Sequence, residues 1–510
     1  MELARQIEKA LVGLTQAGAV EVHENGRRLA GEELQFEVRT ASGLGQAENA
    51  APLIHLWSAG SSDAGGQSFV RRVVGMPEHS RQHVILEVRR FGHVRPGRLE
   101  FRAMEREHAT GLQAARERRA DFITQFRRIL QEKFPDETVD SLSARGDLEH
   151  SISDCYVRGL TQHGADTWSV VGVSGGESSA TIDGALTAGL LWLEQARESR
   201  AARVRPVAGL RLFLPKGAAN AAAHRMGALL SSVNVELYEL DEVYGDVRRL
   251  EPKSASNVAT RLIPLRETEL LLAAAAPGVE PIVRLSPQAI RLSVGADSRS
   301  VALRFRGLEF ARWNVAGIEF GLSDHKERLT AGNRDRLERL VREMETRRNP
   351  LASDGKHRLY RTQAERWLEA LVQEDPGRVD PRLDPQHIYS QVPAVSGGER
   401  GILDLLGVTR DGRLAILELK ADEELHLVWQ AADYWLRVRW HQERDDFKRC
   451  GYFRGIELQP LPPRVFLVAP ALRFHPANSR LLKYVTKEME VIRVGVQENW
   501  RRGLQVSLRQ

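Results

Sequence analysis

Cysteine is nearly missing from this chain of 510 residues: only Cys155 and Cys450 occur. Two thiols exclude a disulfide framework and a cysteine-built zinc cluster, and both read as buried apolar fillers. Lysine is scarce too, about ten of the 73 basic residues, the rest being arginine. No apolar run approaches the roughly 18 residues that a membrane span needs, so no membrane partner is expected. The opening MELARQIEKALVGL has amphipathic helical spacing and lacks the apolar core and cleavage site of a signal peptide. A cytoplasmic location is the expectation. No ATPase motif occurs, so any ATP-driven partner would be a separate chain. Charge of one sign is also in short supply. The net charge is +5, with 28% charged and 42% hydrophobic residues, ordinary values for a globular chain. The arginine excess suits phosphate contacts, and coding bias in a GC-rich genome would produce it equally.

What is there centres on residues 401–435, GILDLLGVTRDGRLAILELKADEELHLVWQAADYW. Two apolar runs, 402–408 and 413–419, flank Arg410-Asp411-Gly412, and Asp-Gly between such runs signals a hairpin. With the turn centred on Asp411, Asp404 and Glu418 lie equally far on either side and oppose each other. Directly opposed side chains have Cβ atoms roughly 4.5–5.5 Å apart. Two carboxylates so placed repel, and a divalent cation removes the conflict. Mg²⁺ is typically held by one or two carboxylates plus waters and phosphates. Lys420, two residues past Glu418, shares its face, where an ammonium could hold a water or stabilise charge on a phosphate. From about Asp422 the spacing becomes helical (Leu425, Val428, Ala432, Trp435), and Gln430 and Tyr434, four apart, share a face.

Asp404, the triplet Glu418-Leu419-Lys420, and Gln430 with Tyr434 on the following helix together resemble the PD-(D/E)XK nuclease superfamily, most closely its NucS-like and RecB-like branches. The resemblance covers the C-terminal domain. It implies a Mg²⁺- or Mn²⁺-dependent phosphodiester hydrolase. By it, Asp404, Glu418 and the Leu419 carbonyl would bind metal, Lys420 would position the water, and Gln430 and Tyr434 would support the site. The superfamily often carries an acid on the helix that opens the domain; Glu365 and Glu369 are candidates, with Glu365 preferred. Leu403 stands where the family's name has proline.

Taken in order, residues 1–117 read as a β-rich N-terminal domain with arginine-rich strand-like segments, SFVRRVVG and EVRRFGHVRPGRLEFR. A basic β surface that tracks a phosphate backbone is one reading; a solvated sheet face is the plainer one. Residues 118–245 repeat the C-terminal order of hairpin, helix and strand. A shift of 246 residues lays Arg158 on Asp404, Gly172 on Glu418 and Ser174 on Lys420, so 118–245 reads as a degenerate first copy that has lost its metal site. Residues 246–330 read as a β-rich bridging region with strands at 282–285, 289–294, 301–305 and 317–321. Residues 331–357 read as a helix and linker, and 358–510 as the catalytic domain. In that domain 387–392 is the expected first strand and 475–487 a helix. Downstream of Tyr434, Trp435 and Trp440 with Arg437, Arg439, Arg444, Lys448 and Arg449 make a basic, aromatic face suited to nucleic acid. His441 has no partner at ligand spacing.

The expected fold is therefore α/β: a restriction-endonuclease-like mixed sheet flanked by helices, duplicated, with β-rich extra domains. The expected function is metal-dependent hydrolysis of nucleic acid, DNA ahead of RNA, as an endonuclease, with homodimer formation left open. The alternative is a non-cutting nucleic-acid-binding or assembly protein on the same scaffold. Hydrolysis of some other phosphoester finds no support in the residues.

Overall fold

The computed structural model describes residues 2–17, 20–24, 27–28, 33–39, 51–59, 68–80, 82–89, 96–103, 106–147, 150–199, 205–256, 260–295, 299–322, 325–396 and 399–510. The chain divides into two compact units. One comprises Met1–Asn257, Glu423–Val428 and His475–Thr486; the other Val258–Asp422, Trp429–Phe474 and Lys487–Gln510. The described residues form a mixed α/β protein with four sheets among them.

In the first unit, a seven-stranded antiparallel sheet spans the strands from Val20–Glu24 to Gly97–Ala103. Helix Glu2–Ala17 covers one face. Its Ile7, Leu11 and Leu14, at helical spacing, pack with Val22, Leu56, Leu86 and Phe101. Arg71 in this sheet is buried in an ion pair with Glu24 at 2.8 Å, so it is no part of a basic surface. Arg72 is exposed and lies opposite Arg89. Within the second arginine-rich segment, residues 90–95 lie outside the described residues, while Arg98 and Arg102 both pair with Glu100. The same unit holds a six-stranded sheet formed by Thr138–Val139, Val157–His163, Asp166–Gly172, Val207–Pro215, Val235–Asp241 and Asp246–Leu250.

The second unit opens on helix Leu265–Val283 rather than on a strand. Residues 282–285 are not a strand; they lie at the end of helix Leu265–Val283, which contains Pro277 and Pro281. Two prolines look like loop punctuation in sequence. Here they lie four apart, and both are exposed, as is Ala273. Carbonyls freed along that stripe can be solvated by water. The opposite stripe, Ala275, Val279 and Ile282, packs on a five-stranded antiparallel meander. Arg348 is 0% exposed. Its guanidinium donates to the carbonyls of Phe305, Arg306, Leu359, Thr362 and Gln363, which ties the meander to the entry of helix Ala364–Glu374.

The fourth sheet holds Tyr389–Ser396, Glu399–Val408, Leu414–Leu419, Arg464–Pro470, Val491–Val496 and Val506–Arg509. Its first strand starts later than expected from sequence, and the expected 475–487 helix is shorter, Pro476–Leu481 followed by a 3-10 turn. In chain order its neighbouring strands run antiparallel, antiparallel, parallel, parallel, antiparallel. The six-stranded sheet of the first unit shows the same sequence of directions. The residue overlay needs one correction. Gly172 faces Val157, while Arg158 faces Val171. On that overlay Val157, not Arg158, would stand where Asp404 is. The two turns differ in parity. Two residues separate the rung His163↔Asp166, whereas five separate Val408↔Leu414, and a one-residue slip exchanges faces.

Candidate active site

The hairpin turns at Thr409–Arg413, where the Thr409 N–H donates to the Arg413 carbonyl at 2.8 Å. Gly412 has φ +90°, and a Cβ there would lie 2.1 Å from the Glu457 carbonyl oxygen. Only glycine fits both demands. The paired rungs run from Val408↔Leu414 to Leu405↔Leu417, so the next rung sets Asp404 against Glu418. There the ladder gives way to a side chain: the Leu419 N–H donates to Asp404 Oδ2 at 3.0 Å. On its other side the strand is parallel to Arg464–Pro470, with Glu418 against Leu467, which buries it.

Glu418 is 2% exposed. Lys420 Nζ lies 3.1 Å from its Oε1, while its Oε2 is buried with no hydrogen-bond partner. Burial pushes the Glu418 carboxyl well above the usual carboxylate range, the Asp404 charge adds to that, and Lys420 opposes it. Lys420 also lies 3.9 Å from Glu365 on helix Ala364–Glu374. Tyr434 and Gln430 lie on helix Leu427–Gln442. Burial raises the Tyr434 phenol, and the charges of Glu418 and Asp404 raise it further. Gln430 has a buried Oε1 with no hydrogen-bond partner.

Glu369 is buried and Glu365 half-exposed. Glu369 accepts from Arg366 Nη1 at 2.6 Å, and the same nitrogen is 3.7 Å from Asp404 Oδ1. Burial raises the Glu369 carboxyl; Arg366 lowers it, and the Asp404 charge raises it. Sequence reasoning missed Arg366. Its position between two candidate acids on a helix was the available signal.

No ligand accompanies the chain, so the fit of a cation rests on the donors. Two opposed carboxylates, one with an unpartnered buried oxygen, suit a hard divalent cation that keeps part of its water. Among the described residues no group of three or more His, Cys, Asp or Glu side chains is placed to hold a metal ion. A closed protein cage is thus not on offer, and the open set of Asp404, Glu418 and the Leu419 carbonyl is what a cation would meet.

The basic aromatic face downstream is largely committed elsewhere. Trp435 is buried and donates to the Pro463 carbonyl at 3.0 Å. Arg439 pairs with Glu443 and Glu488. Arg444 stacks on Trp440, 4.1 Å from the ring centroid. His441 does have partners, Thr260 at 2.6 Å and Asp446 at 2.7 Å; the first is too remote in sequence to foresee. No helix among the described residues is long and apolar enough to cross a membrane.

No protein-family model and no curated protein matches the chain. Among solved structures, it is similar to EndoMS in complex with double-stranded DNA, at 18% identity and a TM-score of 0.17, over 40% of this chain and 64% of that one. It is also similar to a repair endonuclease from Pyrococcus abyssi, at 19% identity and a TM-score of 0.18, over 40% and 63%. The chain thus spans a little under two thirds of either neighbour. A likeness this slight decides neither fold nor chemistry.

Proposed function

We propose that residues 358–510 form a PD-(D/E)XK-like nuclease domain that hydrolyses phosphodiester bonds of nucleic acid, DNA ahead of RNA, as an endonuclease dependent on Mg²⁺ or Mn²⁺. One observation carries the reading: a buried glutamate with an unpartnered oxygen, on the rung opposite Asp404, with a lysine 3.1 Å away. A bound divalent ion would lower the pKa of a coordinated water and neutralise phosphate charge. Asp404, Glu418 and the Leu419 carbonyl would hold it. Lys420, braced by Glu418 and Glu365, would orient the attacking water. Gln430 and Tyr434 would line the wall beside the acids.

In the same reading 118–245 is a degenerate copy, flanked by the N-terminal domain 1–117, the bridging region 246–330 and the connecting segment 331–357. The shared strand directions support it. So does the packing where the acids would stand: a Cβ on Gly172 would lie 2.8 Å from the Phe126 ring, and Val157 packs with Phe126 in one apolar cluster. That copy has no room for a metal and would serve as scaffold.

A second reading, a non-cutting nucleic-acid-binding protein, draws on the ion pair of Arg366 with Asp404, which sets a cation where a metal ligand is needed. The test is cleavage of labelled single-stranded, duplex and branched DNA with Mg²⁺ or Mn²⁺. Asp404→Ala and Lys420→Ala should each abolish cutting. A chain that binds DNA and never cuts, or variants that cut as well as wild type, would favour the second reading.

A further inference from the structure

Arg366 stands between two acids on different elements. Nη1 lies 2.6 Å from Glu369, three residues along the same helix, and 3.7 Å from Asp404 on the hairpin. The other oxygen of Asp404 accepts the Leu419 N–H. Asp404 therefore has one oxygen on backbone and the other facing a guanidinium, and arginine does not lose its proton in proteins. A divalent cation arriving at Asp404 would meet a fixed positive charge within a few ångströms. Glu369 is buried and supplies the only stronger contact the guanidinium makes to an acid among the described residues.

We propose that Arg366 is the resident counter-cation of this site. In the metal-free chain it bridges Glu369 and Asp404 and offsets their repulsion. When a divalent ion binds, the guanidinium gives up Asp404 and rests on Glu369 alone. Arg366 is thus a positioning residue that sets how tightly the site takes its metal, and Glu369 is the cradle that lets it withdraw. The inference rests on the metal-site reading above, and its test separates the two.

The test is Mn²⁺ binding to the full chain without nucleic acid, by titration calorimetry at fixed pH, with thermal melts as the check on folding. Arg366→Gln should tighten Mn²⁺ binding about tenfold, because one positive charge beside the ion is gone. Arg366→Lys, which keeps the charge, should stay near wild type. Glu369→Gln should weaken binding, since Arg366 loses its anchor and turns to Asp404. Unchanged or weaker binding by a folded Arg366→Gln overturns the proposal. If that variant does not fold, Glu369→Gln decides, and unchanged affinity there overturns it. Asp404→Ala should abolish binding in every background. Mn²⁺ binding that survives Asp404→Ala, or is missing from both wild type and Arg366→Gln, overturns the metal site itself.

Discussion

Glu418 is where burial and charge conflict most openly. Its carboxyl is held above the ordinary range by burial and by Asp404, so the folded state binds its proton more tightly than the unfolded chain does. The sign follows. The contribution is favourable below the unfolded carboxylate range and is lost as pH rises through the raised folded value. Glu418→Gln, a neutral isostere, should therefore stabilise the metal-free chain at pH 8 by about 1–3 kcal/mol. The advantage should shrink towards pH 5 while cleavage is abolished. Urea unfolding midpoints of both proteins across that range check it. A variant less stable than wild type at pH 8 would show that the Lys420 contact outweighs the cost of burying the charge.

At the scale of elements, the hairpin depends on its turn. Gly412 combines a positive φ with a carbonyl oxygen where a Cβ would go. Gly412→Ala should cost more than 1 kcal/mol, read as a lower midpoint in urea, and should reduce cleavage with it by shifting the Asp404 rung. Wild-type stability in that variant would mean that the 457–459 loop yields freely. The hairpin was legible because Asp-Gly between apolar runs has few other uses. Helix Leu265–Val283 was not, because its prolines face water, and which side faces water is a property of the packed chain. The one-residue shift between the two hairpins has a similar origin, since turn parity sets the register and the Gly164-Ala165 turn is shorter than the Asp411 turn.

For the molecule as a whole, stability should respond to acid through histidines of the first unit. His475 is 3% exposed, and its Nδ1 accepts the Ala477 N–H at 3.1 Å, which fits a neutral ring. Burial pushes it down to about 4. His426, less buried and bonded to Thr187 Oγ1 at 3.0 Å, is likewise held down to about 4 by burial. Both folded values lie below the unfolded one, so this stability is complete above about pH 6.5 and is lost as pH falls towards 4. The loss is about 1.4 kcal/mol per pH unit for a fully buried histidine and less for His426. Hydrogen exchange in helix Pro476–Leu481 at pH 7 and pH 5 checks the direction. Protection that does not change would mean that the rings open to water without unfolding. Acid thus weakens the first unit while relieving Glu418 in the second.

The amino-acid order alone carried the hairpin, the opposition of Asp404 and Glu418, the lysine beside them and the helix with Gln430 and Tyr434, because turn chemistry and strand and helix periods are local. Folding decided what is not local. It turned Glu365 towards Lys420 and Glu369 towards Arg366. It set a guanidinium against Asp404, packed the Phe126 ring against Gly172, and gave His441 a partner in Thr260. Each depends on which faces of distant elements meet, and that is settled by packing and by the cost of leaving charge unpaired away from water.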